Sequence, residues 1–93
     1  MRCINLSTNC ITDYGISHII ERLQEATQLI EVVLSSNPRI TNSGLRKILQ
    51  FMTQQPLVIF TISKMDHVDA SLIEEIATLS DDYLEQYKIR NSL

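Results

Sequence analysis

Glycine, proline and cysteine are scarce in this 93-residue sequence, which contains two of each. With 44% hydrophobic and 20% charged residues, the composition excludes collagen-like, disordered and membrane-bundle chains, and the length allows one domain. Cys3 and Cys10 are too few for the disulfide scaffold of a small secreted domain, and they lack the paired spacing of a zinc site. The sequence therefore predicts a globular domain in a reducing compartment, with the cytoplasm as the expected location.

An excess of positive charge and a long apolar run are also missing. The formal net charge is -3 and lysine and arginine do not cluster, so we expect no binding to nucleic acid or to an anionic membrane. Asn5, Ser7, Thr8 and Asn9 interrupt the apolar residues near the N-terminus, which argues against a cleavable secretory signal. Secretion into a host cell without such a signal is the alternative location.

Motifs of catalysis are missing as well: the sequence has no glycine-rich phosphate loop, metal motif or nucleophile elbow. The most site-like cluster, Asp-His-Val-Asp at residues 66–69, has too few converging ligands for a metal and is interpreted as a capped turn. His18 falls on the solvent-facing side of a predicted helix. We therefore predict that the chain is not an enzyme and uses no cofactor or metal.

An internal repeat with a period of 28 residues organises the sequence. The segment LSTNCITDYGI at 6–16 returns as LSSNPRITNSGL at 34–45, with one residue inserted after the asparagine. A third copy is weaker, because Met65 replaces the asparagine and Leu72 replaces the glycine. The single predicted domain therefore comprises repeats at residues 1–28, 29–56 and 57–79, followed by a C-terminal cap helix at 80–93.

Each repeat changes its hydrophobic period halfway along. The first part alternates or is rich in β-branched residues, which predicts a short strand. The second part spaces its apolar residues three and four apart, which is typical of a helix with one buried face. Because a helix follows each strand, we expect parallel strands, either in an α/β solenoid or, as an alternative, in a small doubly wound sheet.

The turn between strand and helix carries asparagine and glycine at equivalent places. Asn9 and Asn37 lie in inward-pointing register, so their amides are expected to bond backbone groups of neighbouring turns. Gly15 and Gly44 are expected where a side chain would collide or where φ must be positive. The threonine-containing pairs before the first two helices predict N-caps.

This combination of motifs resembles the ribonuclease-inhibitor type of leucine-rich repeat. The resemblance rests on Leu29, Val32, Leu34 and Asn37, followed by Ile-Thr and Gly-Leu at 40–45, and nearly the same pattern fills the first repeat. It implies a short right-handed solenoid with parallel strands on the concave face and helices on the convex face. It also implies a non-catalytic protein-binding module, as in bacterial effectors of this family.

Ran GTPase-activating protein belongs to the same family, so regulation of a small GTPase is an alternative function. Arg39, in the inserted turn of the second repeat, is the residue expected at such a contact.

Two candidate interaction surfaces follow from the expected arrangement. The concave strand face predicts a protein-binding site, whose members are Glu31, Val33, Ser35, Ile59, Thr61 and Lys64, with Val33 and Ile59 at the apolar centre. Met1 already occupies the first strand position, so no cap precedes the first strand. This predicts an uncovered edge, and hence a homodimer or a structural end unit of a longer array, at Ile4, Leu6, Ile16 and Ile20.

Overall fold

Three strands and three helices alternate along the chain in a small α/β domain, for which the computed structural model describes residues 2–92. This confirms the predicted α/β class. The elements are β1 (Arg2–Asn5), α1 (Asp13–Leu23), β2 (Ile30–Val33), α2 (Asn42–Met52), β3 (Val58–Thr61) and α3 (Ala70–Asn91). We call each strand and its following helix a unit, so unit 1 is β1 and α1, unit 2 is β2 and α2, and unit 3 is β3 and α3.

The strands form one parallel sheet in the order β1-β2-β3. Cys3 pairs with Glu31, which pairs with Ile59, so both registers are offset by 28 residues, the period of the repeat. Strand order follows chain order, without the reversal that creates the switch point of a doubly wound sheet. The predicted first strand position of Met1 lies outside the described residues.

The core lies between the sheet and the helices. Inward strand residues such as Val32 and Phe60 meet the apolar faces of the helices, as the alternation and the helical spacing predicted. The fully buried side chains include Ile16, Leu34, Ile40, Leu45, Ile48, Met52 and Val58. Burial of a side chain of this size contributes about 1.5–3 kcal/mol, so these side chains are the main favourable term in the stability of the fold.

The turn after each strand contains the same unusual backbone conformation, three residues beyond the strand end. Thr8, Ser36 and Lys64 have positive φ angles of 57°, 59° and 57°, and they are 28 residues apart. The left-handed region costs a residue with a Cβ atom roughly 1–2 kcal/mol. Because Lys64 adopts it, the turn geometry of the repeat persists in unit 3, where the asparagine and glycine of the sequence motif are gone.

The C-terminal region differs from the predicted separate cap helix at 80–93. Residues 80–91 continue α3 without a break, and Leu93 lies outside the described residues. Ser80, Asp82 and Glu85 have the spacing of a helix start, but no glycine or proline interrupts the helix before them. The Ser80 side chain does not cap a helix, because it bonds the backbone of Phe60 in β3.

Ser80 closes the outer edge of the sheet. The Phe60 N–H donates to Ser80 Oγ (3.1 Å), and the Ser80 hydroxyl donates to the Phe60 carbonyl (3.0 Å). One side chain thus satisfies both backbone groups of Phe60 on the edge strand β3, where unpaired groups otherwise attract further strands. Nearby, the Tyr83 hydroxyl donates to the Met52 carbonyl at the end of α2 (2.5 Å). Burial and the charge of Asp82 raise the pKa of Tyr83, so the hydroxyl stays protonated.

We expect Ser80→Ala to lower the free energy of unfolding by about 2 kcal/mol, because it leaves a buried N–H and a buried C=O without partners. Urea denaturation followed by circular dichroism measures this change. The matched control is Thr78→Ala on the exposed side of the same helix, for which we expect a change within about 0.5 kcal/mol. Equal effects of the two substitutions would contradict the edge-closing role of Ser80.

None of the helices within residues 2–92 is both long enough and apolar enough to span a bilayer.

Candidate functional site

The candidate site is the face of the sheet that points away from the helices, which we call the outer sheet face. Its strand residues alternate with the core residues: Cys3, Asn5, Glu31, Val33, Ile59 and Thr61. Val33 and Glu31 are half-buried and Thr61 is exposed. Beyond the strand ends, Ser35 is half-buried and Lys64 is exposed. The structure therefore brings the predicted binding residues to one side of the sheet.

Ile59 departs from its predicted role as part of an exposed apolar centre. It is only 4% exposed, whereas Val33, one strand away, remains accessible. Strand alternation places Ile59 on the outer sheet face but does not determine how much of its side chain the neighbouring residues cover. Val33 is left as the apolar centre of the outer sheet face.

A carboxylate organises the hydrogen bonds on this face. The Thr61 hydroxyl donates to Glu31 Oε2 (2.7 Å), and Cys3 pairs with Glu31 across the two strands. Desolvation, followed by the negative charge of the adjacent Glu31, raises the pKa of Cys3. The thiol is therefore held in its protonated form, which is the poorer nucleophile. These contacts suit a recognition surface better than a reactive cysteine.

A row of serines crosses the end of the sheet at the same 28-residue spacing. Ser35 Oγ and Ser63 Oγ are 2.8 Å apart, and the Ser63 N–H donates to Ser35 Oγ (3.2 Å). Ser7 begins the row, and its hydroxyl oxygen is enclosed without a hydrogen-bond partner among residues 2–92. The row extends the hydrogen-bonding capacity of the outer sheet face toward Lys64.

The two turn asparagines have different surroundings. Asn37 is fully buried, and its amide donates to the carbonyls of Leu34 (2.7 Å), Leu6 (3.0 Å) and Ser35 (3.3 Å). Its Oδ1 accepts the Ile11 N–H (3.3 Å). The predicted hydrogen bonding of Asn37 is thus confirmed, and it joins unit 2 to unit 1.

Asn9, by contrast, is exposed and donates only within its own turn, to the carbonyls of Leu6 (2.9 Å) and Ser7 (3.1 Å). This corrects the expectation that it bonds a neighbouring turn. Asn37 bonds the backbone of the preceding unit. Asn9 belongs to unit 1, and the described residues include no unit that precedes it.

The helix N-termini are linked in a second ladder. Thr12 and Thr41 are the N-caps of α1 and α2, as predicted. The Thr41 N–H donates to Asp13 Oδ1 (2.8 Å), and the Thr41 hydroxyl donates to Asp13 Oδ2. In the same way the Asp69 N–H donates to Asn42 Oδ1 (2.7 Å). The first residue of α1 and the first residue of α2 each accept a hydrogen bond from the backbone N–H of the N-cap residue in the next unit.

The Asp-His-Val-Asp cluster has the predicted capping role. Asp69 is the N-cap of α3, and hydrogen bonds from the Ser71 backbone N–H and hydroxyl lower its pKa below 3.8. His67 Nε2 lies 2.7 Å from the Ile40 carbonyl. Across residues 2–92, no three His, Cys, Asp or Glu side chains converge as a metal site would require.

The other residues weighed for chemistry lie apart on the surface. His18 is exposed and stacks edge-to-face on Tyr14, with ring centroids 4.6 Å apart. Arg39, the residue expected at a GTPase contact, is exposed in the turn of unit 2. No described contact joins either residue to the outer sheet face.

The predicted self-association edge needs correction at two of its four residues. Ile16 is fully buried in the core and presents nothing to a partner. Ile20 lines a groove between α1 and α2 with Lys47 and Phe51, so it faces unit 2 and not the uncovered side. Helical spacing alone does not distinguish these two faces. Ile4 and Leu6 are half-buried, so they remain candidate residues of the predicted edge.

Comparisons with protein-family models, with curated proteins and with solved structures found no match to this chain.

Proposed function

We propose that the chain is a leucine-rich-repeat-like solenoid that acts as a non-catalytic protein-interaction module. The solenoid is supported by the 28-residue register of all three strands and by the left-handed residues at the same period. Asn37 adds to this support because it bonds the backbone of its own turn and of the preceding one. In such repeat architectures each unit buries its apolar surface against its neighbours.

The observation that carries the functional proposal is the composition of the outer sheet face. Val33 lies half-buried at its centre, and fixed polar groups surround it, including the Glu31 carboxylate held by Thr61. An apolar centre with a polar rim is the usual anatomy of a protein-binding surface. Three strands about 4.8 Å apart offer less than the roughly 800 Å² per partner of a standard interface, so we expect weak binding at this face alone.

A reducing compartment such as the cytoplasm fits this proposal. Cys3 and Cys10 are both exposed and unbonded to each other. Exposed free thiols persist where glutathione and thioredoxin keep them reduced.

We expect Val33→Asp to weaken partner binding at least about tenfold, because it places a charge at the apolar centre of the face. Affinity capture from the native cells, with quantification of the bound proteins by mass spectrometry, measures this loss. The matched control is Tyr14→Ser on α1, which removes a 74% exposed aromatic ring from the helical side of the domain. Circular dichroism verifies that both variants fold. Full retention of every partner by folded Val33→Asp would contradict the proposed function.

A further inference from the structure

Glu31 is a half-buried carboxylate on the middle strand of the sheet, and no positive charge faces it from the neighbouring strands. Its cross-strand partners are Cys3 on β1 and Ile59 on β3. An opposite charge in a cross-strand position stabilises a charged residue of a sheet, and here both positions lack one. A carboxylate that is partly removed from water without a cation costs free energy, which a cation supplied by a ligand would recover.

The Glu31 carboxylate is fixed in orientation and still able to accept hydrogen bonds. The Thr61 hydroxyl donates to Oε2 at 2.7 Å, which holds the side chain toward β3. Each carboxylate oxygen has two lone-pair sites, so a bidentate donor can bind both oxygens while the bond from Thr61 remains. The arginine guanidinium has this geometry and is more weakly hydrated than the lysine ammonium. Glu31 is therefore a preorganised acceptor for an arginine.

The groups that follow Glu31 on the outer sheet face lie in a line along the same strand direction. Val33 and Ser35 come at two-residue intervals and are half-buried, whereas Ile59 beside Glu31 is only 4% exposed. Alternate residues of a strand are roughly 6.6 Å apart, and alternate side chains of an extended ligand have the same spacing. A negative, an apolar and a hydroxyl group therefore follow one another at intervals that an extended segment matches position by position.

The far end of this line carries hydrogen-bond donors and a positive charge. Ser35 Oγ and Ser63 Oγ lie 2.8 Å apart, so one hydroxyl donates to the other and the second keeps its proton for a ligand. Lys64 follows Ser63 and is exposed. A carboxylate is the ligand group that matches these donors. The outer sheet face is thus negative at Glu31, positive at Lys64 and apolar between them at Val33.

We propose that the outer sheet face binds an extended protein segment that carries an arginine, an apolar residue two positions away, and an aspartate or glutamate two positions further. The guanidinium binds the Glu31 carboxylate, and the apolar side chain packs on Val33 together with the aliphatic stem of the arginine. The acidic side chain accepts hydrogen bonds from the serine hydroxyls and from Lys64. This inference rests on the proposed function, because it names the partner of the same face.

The probes are two pentapeptides, acetyl-Arg-Ala-Leu-Ala-Asp-amide and acetyl-Asp-Ala-Leu-Ala-Arg-amide. They present the same side chains in the two chain directions and carry no net charge, so the acidic protein does not attract them as polycations. Each is titrated into the isotope-labelled chain while amide chemical shifts are recorded. We expect at least one peptide to bind with a Kd of about 1 mM or below, with the largest shifts at Glu31, Val33 and Thr61. Absence of binding by both peptides up to about 10 mM would overturn the inference.

Two matched changes remove the charge pair and keep the shapes of its partners. Glu31→Gln retains an oxygen for the Thr61 hydroxyl, and citrulline in place of the peptide arginine retains a planar head without charge. We expect each change to weaken binding about tenfold, and the two together to weaken it little more, because both delete the same pair. Full affinity after either change, or losses that multiply when the changes are combined, would overturn the assignment of arginine to Glu31.

Val33→Asp separates failure of this inference from failure of the proposed function. If folded Val33→Asp loses the peptide and Glu31→Gln keeps it, the outer sheet face binds protein through its apolar centre, and the inference is overturned while the proposed function stands. If neither peptide binds, the capture experiment with Val33→Asp still decides the proposed function. Shifts confined to α3 around the exposed Glu74 and Glu75 would place the peptide on the helical side and would also overturn the inference.

Discussion

Asn37→Ala is expected to lower the free energy of unfolding by about 3 kcal/mol, which corresponds to a fall in melting temperature of roughly 12–24 °C. The fully buried amide makes four hydrogen bonds, and two of them reach the backbone of unit 1 at Leu6 and Ile11. Alanine leaves those buried backbone groups without hydrogen-bond partners. Water can replace the amide only if the turn opens. Urea denaturation and differential scanning calorimetry both measure this effect.

The matched control is Asn9→Ala, the same substitution at the equivalent position of the preceding turn. Asn9 is exposed and bonds only its own turn, so water replaces its amide and we expect a loss of about 0.5–1 kcal/mol. The difference between the two substitutions isolates the contribution of bonding between units. Losses of the same size at both positions would mean that Asn37 stabilises its own turn and not the junction with unit 1.

Gly44→Ala is expected to be destabilising by about 2 kcal/mol, although alanine has the higher helix propensity. The new Cβ atom would overlap Asp13 Oδ1 and lie 3.2 Å from Ile40 Cγ2. Asp13 cannot move away freely, because both of its carboxylate oxygens accept hydrogen bonds from Thr41. The substitution therefore either pushes α1 from α2 or breaks the ladder at the helix N-termini. Thermal unfolding measures the loss.

Gly15→Ala is the control for Gly44→Ala. The added methyl group meets only the Ile11 side chain closely, and the gain in helix propensity of up to about 1 kcal/mol offsets that contact. We expect stability to stay constant or rise slightly. A double variant, Asp13→Ala with Gly44→Ala, is expected to lose less than the sum of the single losses, because removal of the carboxylate relieves the overlap. Strict additivity would show that the two residues do not compete for space.

Much of the fold was predictable because local and long-range signals in the sequence agree. The apolar spacing of the helices, the β-branched strands and the Thr12 and Thr41 caps each indicate the same alternation of elements. The repeat then predicts the register, since residues that occupy the same place in successive repeats lie side by side in a parallel sheet. Asn37 was identifiable as structural because a polar residue in inward register requires partners.

The missed features depend on where an element ends and on what lies beside it. The continuation of α3 past residue 80 was missed because a serine followed by two aspartates resembles a helix start when read alone. The burial of Ile59 was missed because strand alternation indicates the face of a residue and not its accessibility. Ile20 sits on the boundary between two helix faces, and only the approach of α2 decides between them. The ladder from Asp13 to Thr41 had no sequence signal beyond capping residues. The left-handed conformation of Thr8, Ser36 and Lys64 also had no sequence signal, because glycine or asparagine usually occupies such positions.

The constant spacing of contacts has a consequence for how the molecule folds. The hydrogen bonds that join one unit to the next span between 26 and 31 residues, so each junction closes a chain loop of similar length and similar entropy. We expect assembly to proceed one junction after another and opening to run in the reverse order. Because Ser80 bonds both backbone groups of Phe60, native-state hydrogen exchange is expected to be slow at that amide.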